Sequence, residues 1–248
     1  MGIVMKNEDL DHTFMPYNIL AMRIKEPSHP YPENTGFTNI RLAGFEPRSL
    51  VAGPGIRSVV WVAGCHRRCP NCSQPEYFSF QTGEDISVDN LWSQISQVDG
   101  IDGVTFSGGE PFEQVQSLAR LAKLVRENGM NVVSYTGYRQ EALAADPTRF
   151  GPLLNEIDLL IDGEYRSELG GSYQWRGSGN QRLLYLTDRI KKCPEKIVSE
   201  MQISFDSNKQ GFALSGIWPK GVVNELIREL DRRGFPMRPE RSPPKAGH

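Results

Sequence analysis

Three of the four cysteines, Cys65, Cys69 and Cys72, form a Cys-x-x-x-Cys-x-x-Cys run, and the fourth, Cys193, lies far away before a proline. Thiols packed into one short segment read as a metal or cluster site; a secreted disulfide framework spreads its cysteines over a short chain. Three thiolates can hold three irons of a four-iron cluster, whereas a purely electron-transferring cluster normally takes four cysteines. The remaining iron is then open, and an open coordination position is the mark of a metal that does chemistry. A small molecule offering an amine and a carboxylate could chelate it. Structural zinc is the alternative, and it needs a fourth protein ligand. His66 directly follows Cys65, and adjacent residues rarely close one tetrahedron; Cys193 would serve only if the C-terminal part folds back.

Ser107-Gly108-Gly109-Glu110-Pro111 is a second candidate. Two glycines let backbone approach a ligand without interference from Cβ, and Glu110 offers a carboxylate to an ammonium. A plain strand-to-helix turn, with Pro111 at the first helical position, explains the same residues. Val51–Arg57 (VAGPGIR) reads mostly as a turn. Trp175–Gln181 (WRGSGNQ) reads either as a polar loop over a pocket, with Arg176 a candidate to meet a carboxylate or a partner backbone, or as a solvated Gly/Ser loop. The four histidines form no pair at helical metal spacing, and no nucleophile elbow, P-loop or His-Glu-x-x-His run is present.

The elements that must position these residues alternate. Ile56–Ala63 is a β-rich run ending at the Cys loop. Ser87 is placed to cap a helix whose Val88, Leu91, Trp92, Ile95 and Val98 share one face. Ile101–Phe106 predicts a strand, Phe112–Asn128 a helix closed by Gly129, and Asn131–Tyr135 the next strand. Short helices at Arg139–Ala145 and Phe150–Glu156 lead to a strand at Ile157–Ile161. Such repeats imply right-handed βαβ units and a parallel sheet, whose chemistry sits in loops at the carboxyl ends of the strands. The Cys loop, Gly-Gly-Glu, Thr136-Gly137-Tyr138 and Asp162-Gly163 all follow strands, so all four converge on one rim. Farther on, Met201–Phe205 and Phe212–Ile217 predict a β-hairpin and Val222–Leu230 a helix.

With 248 residues the chain can bury one large α/β core with a small appendage. The expected layout is an N-terminal extension over 1–40, with a strand only at Tyr17–Ile24, a core over 41–190, an α+β appendage over 191–235, and a flexible tail over 236–248. A balance of 28 Lys+Arg against 30 Asp+Glu leaves no broad field for nucleic acid or an anionic membrane. No apolar run approaches the roughly 18–20 residues that span a bilayer. Met1–His12 is too polar for a secretory signal, and a cytoplasmic protein is expected.

Taken together, the CxxxCxxC loop after one strand and the Gly-Gly-Glu-Pro loop after the next resemble the radical S-adenosylmethionine superfamily. Gly53–Arg57, Gly64–Cys72, Ser107–Pro111, Tyr135–Tyr138, Leu160–Gly163 and Trp175–Gln181 resemble, in order, the activating proteins of anaerobic ribonucleotide reductase, within the glycyl-radical activases. Ala52 stands where that pattern usually has an acidic or amide residue, and Asn71 where many members are aromatic. The resemblance implies an α/β fold, a partial (β/α) barrel of the radical SAM type, with a small C-terminal β-hairpin plus helix appendage. It implies a [4Fe-4S] cluster on Cys65, Cys69 and Cys72, and S-adenosyl-L-methionine bound around Gly108, Gly109, Glu110, Ser134 and Thr136. One-electron reduction would cleave the sulfonium, and the resulting 5′-deoxyadenosyl radical would take a Cα hydrogen from a glycine of a partner, such as anaerobic ribonucleotide reductase. The electron would come from a donor such as flavodoxin or ferredoxin. A radical enzyme acting on a peptide or small metabolite, and a non-enzymatic metal-binding module, are the alternatives.

Overall fold

The computed structural model describes residues 3–7, 39–194, 200–206, 211–217, 222–233 and 237–239. Strand β1 (Ile3–Asn7) belongs to a small second sheet. The main sheet contains β2 (Asn39–Ser49), β3 (Arg57–Val62), β4 (Glu84–Ser87), β5 (Gly103–Gly108), β6 (Asn131–Thr136), β7 (Leu159–Asp162) and β8 (Arg182–Tyr185). Their order is β4-β2-β3-β5-β6-β7-β8, and the sheet is open.

The parallel sheet expected from the sequence is its centre. Strands β3, β5, β6 and β7 run parallel, with Arg57 beside Gly103, Gly103 beside Asn131 and Val133 beside Leu159. Antiparallel strands β2, β4 and β8 extend it on both sides. The turn from β2 to β3 is too short for the crossover that a parallel step requires, so that pair is antiparallel. Strands buried on both faces read as continuous apolar runs. Val60, Val104, Phe106, Val132 and Leu160 belong to the larger core, and Val133, Leu159 and Ile161 pack on the opposite side with Trp175 and Ile190.

Helices α1 (Val88–Ser96), α2 (Val115–Glu127), α3 (Gln140–Ala144) and α4 (Pro147–Leu154) supply the larger core's cover. The Ser87 hydroxyl accepts from the Asn90 N–H at 3.1 Å, as its N-cap position predicts. Leu118, Leu121 and Val125 of α2 are fully buried; each large side chain so placed contributes roughly 1.5–3 kcal/mol. Among the described residues no helix is long and apolar enough to cross a membrane.

The second sheet joins both ends of the chain. Strands β9 (Glu200–Asp206) and β10 (Gly211–Ile217) form the expected hairpin, helix α5 (Val222–Arg232) follows, and β11 (Met237–Pro239) completes the order β11-β1-β10-β9. Residues 3–7 and 237–239, read from the sequence as extension and tail, are thus strands paired with each other. The strand expected at Tyr17–Ile24 lies outside the described residues. Gln202 of β9 ties this sheet to the core. Its Nε2 donates to Glu46 Oε1 at 3.0 Å and to the Arg48 carbonyl at 2.9 Å, and its Oε1 accepts from the Leu50 N–H at 2.7 Å.

Candidate functional site

The four parallel strands put their carboxyl ends on one edge, and the Cys loop leaves β3 there. Its base is pinned by backbone bonds from Gly64 to Tyr77 at 2.9 Å and from Cys65 to Phe78 at 3.1 Å. Arg68 (φ 46°) and Asn71 (φ 55°) both adopt left-handed backbone within this loop. Such residues cost of order 1–3 kcal/mol each and persist where the surroundings over-determine them, which is common at functional sites.

Cys65 is buried, Cys69 and Cys72 are half-buried, and none forms a disulfide. Burial pushes all three thiols up, and each is pushed further by neighbouring negative charge: Cys65 acts on both of the others. Backbone N–H groups oppose this. The Gln74 N–H donates to the Cys72 sulfur at 3.5 Å, and the backbone of Arg68 and Arg67 beside Cys65, and of Tyr165 beside Cys69, pulls those thiols back down. Three soft sulfur donors in one loop, with Cys72 met by the Gln74 N–H, suit metal-bound thiolates, because outer hydrogen bonds orient such ligands and offset their charge.

The Gly-Gly-Glu loop presses against this base. The Gly109 N–H donates to the Val62 carbonyl at 2.7 Å and the Glu110 N–H to the Gly64 carbonyl at 2.9 Å. A Cβ on Gly108 would lie 2.6 Å from the Val62 oxygen, and one on Gly109 2.5 Å from the Gly64 oxygen. The backbone that these two glycines approach is therefore the chain's own.

Glu110 is 2% exposed. Its Oε1 accepts from the Phe112 N–H at 3.0 Å and the Thr136 hydroxyl at 2.9 Å, and its Oε2 from the Gly137 N–H at 2.8 Å. Burial pushes this carboxyl up to about 7 despite those three bonds, and Glu113 adds to the rise. Glu110 and Thr136 are thus brought together across two loops. Ser134 is not: it is fully buried inside β6 between Phe106 and Leu160, and its hydroxyl donates to the Tyr135 carbonyl at 3.1 Å.

Neither fourth ligand considered for zinc turns toward the thiols. The His66 side chain is exposed, with Nδ1 3.1 Å from Glu113 Oε1 and its ring 4.6 Å from that of Phe80. Cys193 lies beside the Tyr185 hydroxyl at 3.6 Å, and Tyr185 pairs with Leu159, the first residue of β7. That is the amino edge of the parallel strands, opposite the Cys loop. Among the described residues, no group of three or more His, Cys, Asp or Glu side chains closes around a single metal-ion position.

Residue types did not point to several further participants. The Arg67 guanidinium lies 4.9 Å over the Tyr138 ring and 3.7 Å from the Glu164 carboxylate. Its Nε, and Oδ1 of Asn180, are buried without a hydrogen-bond partner. An orphaned donor and an orphaned acceptor beside this edge suit a polar ligand.

The Gly53–Arg57 motif lies at the other edge, apart from the thiols. Arg57 is fully buried and donates through Nε to Thr105 Oγ1 at 2.8 Å. Nη1 reaches the Pro54 carbonyl at 2.9 Å and Asn131 Oδ1 at 2.7 Å, and Nη2 the carbonyls of Val104 and Asn131 at 2.9 and 3.0 Å.

The profile of the 4Fe-4S single cluster domain family matches residues 51–184. The chain is 30% identical over 153 residues to the anaerobic ribonucleoside-triphosphate reductase-activating protein of Enterobacteria phage T4, covering 59% of this chain and 94% of that protein. It is 28% identical over 151 residues to the protein so named from Escherichia coli strain K12, covering 57% and 96%. Over 104 residues it is 34% identical to the pyruvate formate-lyase-activating enzyme of Clostridium pasteurianum, covering 40% and 44%.

Proposed function

Because the chain belongs to the 4Fe-4S single cluster domain family, and within it to the radical S-adenosylmethionine glycyl-radical activases, we propose that Cys65, Cys69 and Cys72 hold its cluster and that S-adenosyl-L-methionine binds beside them. The bound pair supplies one-electron cleavage of the sulfonium and, through it, removal of a hydrogen from a glycine of a partner enzyme. The observation that carries this reading is the direct backbone contact between the thiol loop and the Gly108-Gly109-Glu110 segment.

Each residue then has a task. The three thiols would hold the cluster, and the cluster would supply the electron chemistry to a nucleotide bound beside it. The Gly108-Gly109-Glu110 segment, whose N–H groups at 109 and 110 bond the backbone beneath the thiol loop, would border that ligand. The Glu110 carboxylate, tied to Thr136 and Gly137, keeps the segment and the β6 loop at one height. Ser134 supports β6 from inside. The open sheet then corresponds to a partial (β/α) barrel whose carboxyl edge carries the chemistry. The partner is a glycyl radical enzyme, with anaerobic ribonucleotide reductase favoured by the relatives' names, and a small electron carrier supplies the electron.

The test is anaerobic reconstitution with iron and sulfide, reduction by dithionite, and assay of 5′-deoxyadenosine from S-adenosylmethionine. Adding the cognate reductase should then produce a protein-borne doublet in electron paramagnetic resonance. Nucleoside release without a doublet would remove the reductase as partner, and no release would remove the cofactor assignment.

A further inference from the structure

The carbonyls at the end of β3 are met one after another by a single short segment. Val62 accepts from the Gly109 N–H at 2.7 Å and Gly64 from the Glu110 N–H at 2.9 Å. Ala63, between them, accepts from Gln114 Nε2 at 3.0 Å. Gln114 also enters the ladder between β2 and β3. Leu42 pairs with Val62, so Arg41 and Ala63 stand opposite one another at the next step. The Ala63 N–H donates to the Arg41 carbonyl at 2.9 Å. The return path runs through the side chain. The Arg41 N–H donates to Gln114 Oε1 at 2.8 Å, and Gln114 Nε2 donates to the carbonyls of Arg41 and Ala63, both at 3.0 Å. A primary amide, with an acceptor oxygen and two donor hydrogens, matches that opening. The same pairing shifts register between Leu42 and Gly44, and such irregularities re-aim a strand beside a functional site.

A stiff turn joins this amide to the Gly-Gly-Glu segment. Pro111–Glu113 is one 3₁₀ turn, in which the Glu113 N–H donates to the Glu110 carbonyl and the Gln114 N–H to that of Pro111, both at 3.0 Å. Gln114 then opens α2, which is itself fixed to β2 by the Ser117 hydroxyl donating to the Asn39 carbonyl at 2.7 Å. We propose that Gln114 is a positioning residue: its amide is a wedge spliced into the last β2–β3 rung, which turns the chain out of the sheet at Ala63 and sets Cys65 against Gly109 and Glu110. The inference rests on the reading that Cys65 holds the cluster and that S-adenosylmethionine binds beside it. Without the wedge the rung can close directly, with the Arg41 N–H on the Ala63 carbonyl. That closure draws the base of the thiol loop toward β2 and away from the Gly-Gly-Glu turn.

Two variants of the full chain test this. Gln114→Ala removes all three bonds of that side chain and lets the rung close. Gln114→Glu keeps the length and the acceptor for Arg41 but cannot donate to either carbonyl, and it is scored alone if the alanine variant fails to fold. In metal-free protein, amide hydrogen exchange at Gly64, Cys65 and Glu110 should quicken roughly tenfold, the factor for losing about one hydrogen bond, while Val104 and Val132 at the sheet centre are unchanged. In reconstituted protein, S-adenosylmethionine is titrated against the electron paramagnetic resonance signal of the reduced cluster. Its affinity per assembled cluster should fall roughly tenfold; a residue that only stabilised the fold would leave that affinity unmoved. A variant with an intact sheet centre that assembles no cluster supports the role at Cys65 itself. Unchanged exchange, or faster exchange with unchanged affinity, overturns the wedge as a positioning device. A wild-type protein that assembles no cluster, or whose signal ignores S-adenosylmethionine, overturns the cofactor reading first and this role with it, an outcome recognisable before any variant is made.

Discussion

At the amino edge of the parallel strands, a buried charge has every donor used; at the carboxyl edge, buried groups are left wanting. Arg57 has five N–H groups, and each finds an oxygen among Thr105, Pro54, Asn131 and Val104. Burial still pulls it down to about 10, against the pull of Asp102 and Asp158. At the other edge the thiols are pushed up by burial, Arg67 Nε and Asn180 Oδ1 lack partners, and Arg68, Asn71 and Trp175 adopt left-handed backbone. Both edges carry glycine-rich motifs that look alike in sequence. The first closes around Arg57, and the second packs its glycines against the base of the thiol loop, on the edge where Arg67 Nε and Asn180 Oδ1 lack partners.

The largest effect that would break this contrast is loss of the cluster. Alanine at Cys65, Cys69 or Cys72 is expected to abolish assembly, while Cys193→Ala, at the amino edge, retains it. Iron content and visible absorbance of the four variants decide, and loss in the Cys193 variant would dissolve the division between edges. Next is Arg57→Ala, which strands the carbonyls of Val104 and Asn131 and should cost about 3–5 kcal/mol in urea unfolding. A cost below about 1 kcal/mol would show that this edge is not a structural keystone.

Glu110 sharpens the comparison through pH. Its carboxyl sits near 7 in the folded chain, against an ordinary 4.5, so the folded state holds the proton more tightly. Stability is therefore highest below the ordinary value and falls as pH rises toward and through 7, by about 3 kcal/mol in all. Unfolding measured across that window should show the slope in the wild type and lose it in Glu110→Gln. A slope that persists would assign it to another group.

The smallest effects come from the glycines. Gly55 (φ 74°) would place a Cβ 2.3 Å from Asp102 Oδ2, and Gly109 would place one 2.5 Å from the Gly64 oxygen. Alanine at either should cost about 1–3 kcal/mol, through left-handed strain at Gly55 and overpacking at Gly109, but only the Gly109 variant should also lower iron retention after reconstitution. Equal retention would mean that the close approach of the two loops does not matter to the cluster.

Elements with strong local signals were legible in the sequence. Val115, Leu118, Ala122 and Val125 mark α2 by helical spacing, and Val59, Val60 and Val62 mark β3 by continuous apolarity. Strand β2 was not legible, because Gly44 and Pro47 interrupt it and its pairing with β3 shifts register twice. Its place comes from partners on both sides, which override weak β propensity. The thiol loop was legible for the opposite reason: its chemistry lies in residue type and spacing. Ser134 shows the limit, since position near a motif did not reveal that its hydroxyl is used inside its own strand.

The sequence alone determined that three thiols share one loop, the parallel centre of the sheet and the meeting of four loops on one edge, because these follow from spacing and periodicity along the chain. Only the tertiary structure decided what those groups face. Glu110 meets Thr136 across 26 residues and Arg57 meets Asn131 across 74. Such contacts depend on which strands become neighbours, so no local window contains them. Burial, which pushes the Glu110 carboxyl and the thiols up, exists only once the loops have closed over one another.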